Sequence, residues 1–428
     1  MSEPPFALAR STAGPSLKDE AWLADPRLQR LLRAIAGSDE EIRIVGGAVR
    51  NALLGRTVAD VDLATTATPP IVMKRARQAG MRPIPTGIDH GTVTVLVDEK
   101  PFEVTTLRED VSTDGRHATV KFGRDWAADA RRRDFTMNAL YATAEGAIID
   151  LIGGLADCQA RRIRFIGDAD ARIREDYLRI LRLFRFHAML GQGPIDADGL
   201  AAAVRHKTGI AQLSGERIAQ EMMKLVVAEQ APDAIEVMWR SDILALALGT
   251  EVADIAPFTQ LHATLAPTSA TANPALPAHP AVLLLASFVA NDRAHVEAVA
   301  HRLRLSNAIR NRMIAASTVA ASLDPDMTDH AARAAIFHDG KAAFVDAVFI
   351  ASARNQPPWP RDRMADLLSL ADRFTPPTLP VSGQDLLALG IEAGRNLGEK
   401  LKSLKDAWIA SDFTLTKQAL LDRLADKD

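Results

Sequence analysis

Between residues 42 and 155 the chain carries short runs in which β-branched and other apolar residues alternate with polar ones: IRIV, GTVTVLV, FEVTT and AIIDLIGG. A period of two is that of a strand with one buried face. Two intervening stretches, AVRNALL and VMKRARQAGM, instead space their apolar residues three and four apart, as one face of a helix requires. The pattern from Ile42 to about Leu155 predicts a small mixed sheet flanked by helices.

Beyond Arg161 the period of two is lost, and Ala/Leu/Arg-rich segments at helical spacing run to the C-terminus, interrupted by proline-rich breaks. The fold class expected is therefore α+β, a mixed head followed by an all-helical remainder. APTSATANPALPAHP (Ala266 to Pro280) and NQPPWPR (Asn355 to Arg361) are too rich in proline and small residues to continue a helix and read as linkers. A further short module begins near Pro376.

Length and composition then bound the function. At 428 residues, 47% hydrophobic and 25% charged, the chain is too long for one ordinary domain. A formal net charge of -3 excludes a polybasic nucleic-acid coat, so any RNA contact must come from a local patch. The single cysteine, Cys158, excludes an internal disulfide and a multi-cysteine zinc site. The N-terminal MSEPPFALARSTAGPSLKDE has prolines and acids where a secretory leader needs an apolar core, and no apolar run approaches the ~20 residues of a membrane span. A cytoplasmic protein with no membrane partner is expected.

The candidate chemistry lies in VGGAVRNALLGRTVADVDLATTATP, Val45 to Pro69. Gly46 and Gly47 fall between a strand and a helix, where backbone amides can approach a phosphate, and Arg50 follows one turn in. A tight turn with no ligand is the alternative. In VADVDLAT, Asp60 and Asp62 alternate with Val61 and Leu63, which puts both carboxylates on one strand face. A pair of hard oxygen ligands suits Mg²⁺ together with substrate phosphates and water. The alternative is the solvated face of an edge strand. Glu103 in PFEVTTLRED faces away from Phe102 and Val104 and offers the third carboxylate that a two-metal site needs. The preceding GTVTVLVDEKP is expected to pair with it as an antiparallel hairpin.

With these residues in view, the chain resembles the nucleotidyltransferase superfamily related to DNA polymerase β. Within it, the closer resemblance is to the bacterial-type, class II CCA-adding tRNA nucleotidyltransferases and their poly(A) polymerase relatives. GGAVRNALLGRTVADVD is similar to the family's metal and triphosphate motif, RRRDFTMNAL (Arg131 to Leu140) to its ribose motif, and REDYLRILRLFRF (Arg174 to Phe186) to its base-selecting motif. SGERIAQEMMKL follows in the family's order, and PVSGQDLLALGIEAGRNLG resembles its C-terminal module. The family usually has Asp after the first motif's arginine, and this chain has Asn51.

The resemblance implies addition of nucleotides from CTP and ATP to the 3′ acceptor end of tRNA, with no DNA substrate. Two Mg²⁺ ions would be bridged by Asp60 and Asp62, with Glu103 completing the first site. Arg133 would neutralise the triphosphate, Asp134 would bond the ribose hydroxyls, and Asn138 would help orient that group. A helix from Arg172 to Leu190 would carry Asp176, Arg179, Arg182 and Arg185 at intervals of three, with the Asp176/Arg179 pair as a protein template for the base. Asp176 would accept from the exocyclic amine of cytosine or adenine while Arg179 donates to the ring. Asp114, Arg116 and His117 would belong to a flexible loop that lets the pocket change from CTP to ATP.

The implied organisation is an N-terminal extension with a helix (1–40), a polymerase-β-like catalytic head (41–160), a nucleotide-selecting helical neck (161–230), a helical body (231–375) and a helical, tRNA-binding tail (376–428). Lys400, Lys402 and Lys405 are candidate RNA contacts, each readable alone as a solvated helix face. Poly(A) synthesis, CC-only or A-only addition, and a catalytically silent RNA-binding protein on the same scaffold are the competing readings. His338-Asp339 lacks histidine partners and reads as a surface or packing pair.

Overall fold

A computed structural model describes residues 15–112, 119–266, 277–289 and 293–425. It divides into two compact units, Met1–Leu213 and Ser214–Asp428.

The first unit holds a seven-stranded sheet built from β1 (Ile42–Val45), β2 (Asp62–Thr65), β3 (Arg82–Gly87), β4 (Thr92–Val97), β5 (Lys100–Thr106), β8 (Leu140–Ala142) and β9 (Ile148–Asp150), in the order β3-β4-β5-β2-β1-β8-β9. A separate hairpin joins β6 (Arg108–Ser112) and β7 (Thr119–Phe122). The α-helices are α1 (Pro26–Ile35), α2 (Gly47–Leu53), α3 (Pro69–Gln78), α4 (Trp126–Arg131), α5 (Gly154–Gln159), α6 (Ala169–Glu175), α7 (Leu178–Leu190) and α8 (Ala197–Arg205).

Local chemistry explains these elements. In β4, Val93, Val95 and Val97 are fully buried while the intervening residues face outward, the alternation that predicted the strand. β4 turns directly into β5 through Asp98 and Glu99, both at positive φ (49° and 61°), as a tight two-residue hairpin requires. The α1 helix starts with Asp25 accepting the backbone N–H of Arg27 and Pro26 in its first turn, and it buries Leu28, Leu31, Leu32 and Ile35.

The pairing of β2 with β5 is parallel, with Asp62 opposite Glu103 and Leu63 opposite Val104. On its other side β2 runs antiparallel to β1, with Val45 opposite Asp62. A slip of one residue would turn the carboxylates into the core, so the buried Leu63 and Val104 fix the register of the site. Val45, Ala64, Trp126, Ala130, Ala139 and Tyr141 form a core cluster that ties α4 to the sheet. Trp126 and Tyr141 meet edge to face at 5.2 Å, a contact worth about 0.5–1.5 kcal/mol beyond its area.

The single helix expected from Arg172 to Leu190 is instead two. α6 stops at Glu175, Asp176 is extended (φ −159°, ψ 106°), and α7 resumes at Leu178. The carboxylate of Asp176 accepts the N–H of Leu178 at 3.1 Å and its carbonyl accepts that of Arg179 at 3.0 Å, so it caps the second helix rather than continuing the first. The ring of Tyr177 packs on Gly209, where a Cβ would meet it at 2.2 Å. α7 is buried nearly all round, as its apolar sequence implies.

In the second unit all described elements are helices. At its centre Lys341–Arg354 buries residues on every side, and its fully buried Asp346 receives both Nε and Nη2 of Arg312 at 2.6 and 2.9 Å. Residues 355–360 are non-helical, as the NQPPWPR linker predicted. The last helices enclose a small core of Val381, Leu386, Leu404, Trp408 and Leu420. His338 and Asp339 are exposed at the end of Asp329–Asp339, and His338 lies edge-on to Phe337.

Candidate active site

The strand β1 ends at Val45 and the chain reverses at Gly46 (φ 68°, ψ −114°), a conformation that favours glycine, before α2 begins at Gly47. Arg50 on α2 donates through Nε and Nη2 to Asn51 Oδ1 at 3.1 and 2.8 Å, and through Nη1 to Asn138 Oδ1 at 2.6 Å. Both acceptors are neutral amides. Burial pushes the Arg50 guanidinium down to about 10, with Arg185 and Arg56 acting in the same direction and Cys158 and Asp134 against it. Asn51 Nδ2 also donates to the Thr57 carbonyl at 3.4 Å, a bond that the carboxylate usual in the family could not make.

Asp62 opens β2, and Asp60 lies just before the strand because β1 turns away at Gly46 and leaves nothing to pair with. The alternation nevertheless persists: Asp60 and Asp62 are exposed while Val61 and Leu63 are buried. Though solvent reaches Asp62, the sheet behind it shields part of its carboxylate from water, and that desolvation, then the charges of Glu103 and Asp60, push the carboxyl above its usual range, opposed by Arg133. This mutual repulsion is what a bound divalent cation would relieve. Among the described residues no group of three His, Cys, Asp or Glu side chains is placed to hold a metal ion, so Asp60, Asp62 and Glu103 are not gathered into a three-ligand site here. The open edge fits a Mg²⁺-type ion, which takes one or two carboxylates and completes its shell with phosphates and water.

Asp134 connects this corner to α7. Its Oδ1 accepts from Asn138 Nδ2 at 2.9 Å and from the Phe135 backbone N–H at 2.8 Å, while Arg182 donates twice to Oδ2. Arg50, Asn138, Asp134 and Arg182 thus form one continuous hydrogen-bonded chain. Against the cost of burial, Arg182 and these bonds hold the Asp134 carboxyl below its usual range.

Arg133 approaches Gly46 from the other side: a Cβ there would lie 3.6 Å from its Nη1. It is gripped by Asp129, whose Oδ2 accepts Arg133 Nε and Nη2 at 3.3 and 3.1 Å and the Tyr141 hydroxyl at 2.8 Å. The other oxygen accepts Arg132 Nε and Nη2 at 2.8 and 2.5 Å.

The expected Asp176/Arg179 pairing differs in detail. Arg179 Nη1 meets Glu175 at 2.5 Å and the Arg172 carbonyl at 2.8 Å, and Arg172 Nη1 meets the same Glu175 oxygen at 2.5 Å, while Asp176 caps α7. Arg185, 8% exposed, lies 4.2 Å from the centre of the Phe186 ring, which Arg50 and Arg182 also approach at 5.3 and 5.2 Å. Asp114, Arg116 and His117 lie outside the described residues.

Asp129, Tyr141, Glu175 and Phe186 were not among the expected site residues. Asp129 had a legible signal, a carboxylate three and four positions before two arginines on a short helix.

Known proteins resemble this chain over most of its length. Residues 42–164 match the family model of the poly A polymerase head domain, and residues 194–248 that of the probable RNA and SrmB-binding site of polymerase A. The Danio rerio protein CCA tRNA nucleotidyltransferase 1, mitochondrial, is 36% identical over 90% of this chain and 87% of its own. The CCA-adding enzyme of Latilactobacillus sakei is 33% identical over 91% of this chain and 95% of its own. The crystal structure of the Bacillus stearothermophilus CCA-adding enzyme in complex with CTP superposes with a TM-score of 0.74 at 27% identity, covering 94% of this chain and 98% of that one. By these matches and by the motifs at its Gly46 turn, Asp134 and α7, this chain belongs to the CCA-adding enzyme and poly(A) polymerase family of nucleotidyltransferases.

Proposed function

We propose that this chain adds C, C and A in turn to the 3′ end of tRNA from CTP and ATP, without a nucleic-acid template and with release of pyrophosphate. The observation that carries the reading is the carboxylate corner of Asp62 and Glu103, set by the β2/β5 register beside the Gly46 turn.

In this reaction the RNA 3′-oxygen forms a bond to the α-phosphorus as the bond to the bridging β-phosphate oxygen breaks, and the hydroxyl proton is lost. The amide at Gly47 and the guanidiniums of Arg50 and Arg133 hold the phosphates, the Gly46 amide being given to the Leu140 carbonyl at 3.0 Å, and Asp134, oriented by Asn138, takes the ribose hydroxyls. Asp176 and Arg179 read the amine and ring acceptor shared in pattern by cytosine and adenine, so that UTP and GTP leave buried groups unpaired. Arg182 and Arg185 support that template from α7. The family uses a divalent metal; two Mg²⁺ ions, held by Asp60, Asp62 and Glu103, would sharpen the nucleophile and neutralise the leaving group. The loop of Asp114, Arg116 and His117 is proposed to serve the change from CTP to ATP, and the tail, with Lys400, Lys402 and Lys405, to hold the tRNA.

No helix among the described residues is long and apolar enough to cross a membrane. The cytoplasm is the compartment proposed, and cell fractionation decides between it and the mitochondrion named for the Danio rerio relative.

The test is extension of tRNA transcripts ending before CCA, after C and after CC, with CTP, ATP or both, resolved to single nucleotides. Addition that stops at CCA supports the reading. Stopping at CC, accepting only the CC-ended transcript, or running into long A tails replaces it with a named relative's activity, and no extension leaves an RNA-binding protein.

A further inference from the structure

Asp129 contacts no position at which the motifs place substrate, yet it is one of the most enclosed carboxylates of the head, its side chain 1% exposed. Its partners explain why it is tolerated there. Burial raises the free energy of its charge, and the guanidiniums of Arg133 and Arg132 with the Tyr141 hydroxyl more than compensate, holding the carboxyl below its usual range.

The geometry of the grip is directional. Asp129 takes the Nε/Nη2 edge of Arg133, which turns the Nη1 side toward Gly46. The guanidinium cannot rotate without breaking both bonds. Tyr141 anchors the carboxylate to β8, and its ring meets Trp126 at the head of α4, so the whole assembly is braced against the sheet. Two guanidiniums share one carboxylate, so the cluster keeps a net positive charge, and the guanidinium that reaches the Gly46 turn is that of Arg133. A preoriented cation of this kind needs no reorganisation when an anion arrives.

We propose that Asp129 is a positioning residue for the nucleotide: from beneath the site it aims Arg133 at the triphosphate, acting on CTP and ATP alike because it touches neither base nor ribose. The proposal rests on the reading of the Gly46 turn as the phosphate site.

Equilibrium binding of CTP, ATP and inorganic tripolyphosphate to the full chain tests it, using Asp129→Asn and Tyr141→Phe, with thermal melting alongside. Asp129→Asn should weaken all three ligands by the same factor, about tenfold, as expected when a charge-assisted partner is lost. Tyr141→Phe removes one hydroxyl from a ring that keeps its packing and should weaken all three equally, by about twofold to threefold, which carries the test if Asp129→Asn does not fold. Asp129→Glu, which restores the charge, should recover part of the loss. Unchanged affinity with a lowered melting temperature would overturn the proposal in favour of a purely structural role. Weakened CTP or ATP with unchanged tripolyphosphate would also overturn it, by moving the effect to base or ribose. A wild-type chain that binds none of the three overturns both this proposal and the phosphate-site reading, whereas a wild type that binds them but extends no tRNA overturns only the proposed CCA activity.

Discussion

Arg182 closes on Asp134 with Nε and Nη2 donating to the same carboxylate oxygen at 2.9 and 2.5 Å. The second oxygen is engaged by Asn138 and by the Phe135 backbone. Under the proposed reading, a ribose hydroxyl would meet a carboxylate whose oxygens are both occupied, and nucleotide entry would share or displace Arg182. Breaking a fully buried pair costs about 3–5 kcal/mol, but the Arg182 side chain is 31% exposed. With that screening, Arg182→Gln should lower unfolding free energy by about 1–2 kcal/mol in urea titrations. An unchanged midpoint would mean that the link carries no net energy.

Asp62 has the opposite sign, its charge costing the fold stability. A carboxyl raised above its unfolded value ionises less readily in the folded chain, so at neutral pH its charge destabilises the fold, and that cost disappears as pH falls below the unfolded value. Asp62→Asn should therefore raise the melting temperature in EDTA by roughly 1–3 °C. The same variant should lose extension activity by at least about a hundredfold. Mg²⁺ should stabilise the wild type more than the variant.

Asp129 and Asp134 are buried carboxyls held below their usual range, so protonating them costs the head stability. A depressed folded value contributes stability that is fully present above the unfolded value, about 3.9, and is lost as pH falls through the folded one. Melting curves of the wild type should therefore decline steeply below about pH 4, and Asp129→Asn should flatten that decline. Parallel acid profiles would refute the assignment.

Asn51 makes a restoration experiment possible. Asn51→Asp keeps both Arg50 contacts, turns them from bonds to a neutral amide into a salt bridge and loses only the long bond to the Thr57 carbonyl. The variant should be more stable by about 0.5–1 kcal/mol, with CTP affinity within about twofold of wild type. Asn51→Ala, which unseats Arg50, should weaken CTP binding instead.

The strands and the glycine turn at Gly46 were legible because their signals are local. Val93, Val95 and Val97 alternate visibly, and Gly46 sits between a β-branched run and a helical one. The break between α6 and α7 was not, since apolar spacing continues on both sides of Asp176 and only the capping chemistry of that one side chain divides them. Nor could the sequence pair Arg182 with Asp134, whose meeting depends on how α7 docks. The Asp129 network shows the intermediate case: its spacing to Arg132 and Arg133 was visible, but its burial was needed to separate a structural brace from an ordinary surface ion pair.

The parallel pairing of β2 with β5 also bears on the order in which the protein matures during synthesis. Asp62 leaves the ribosome well before Glu103, and the strand that seats β1, through Ile44 opposite Ala142, comes later still. Arg182 follows after that. A nascent chain halted between Glu103 and α7 thus already carries Asp60, Asp62 and Glu103 but not Arg182, so Asp134 stays without its partner from α7 until that helix has been made.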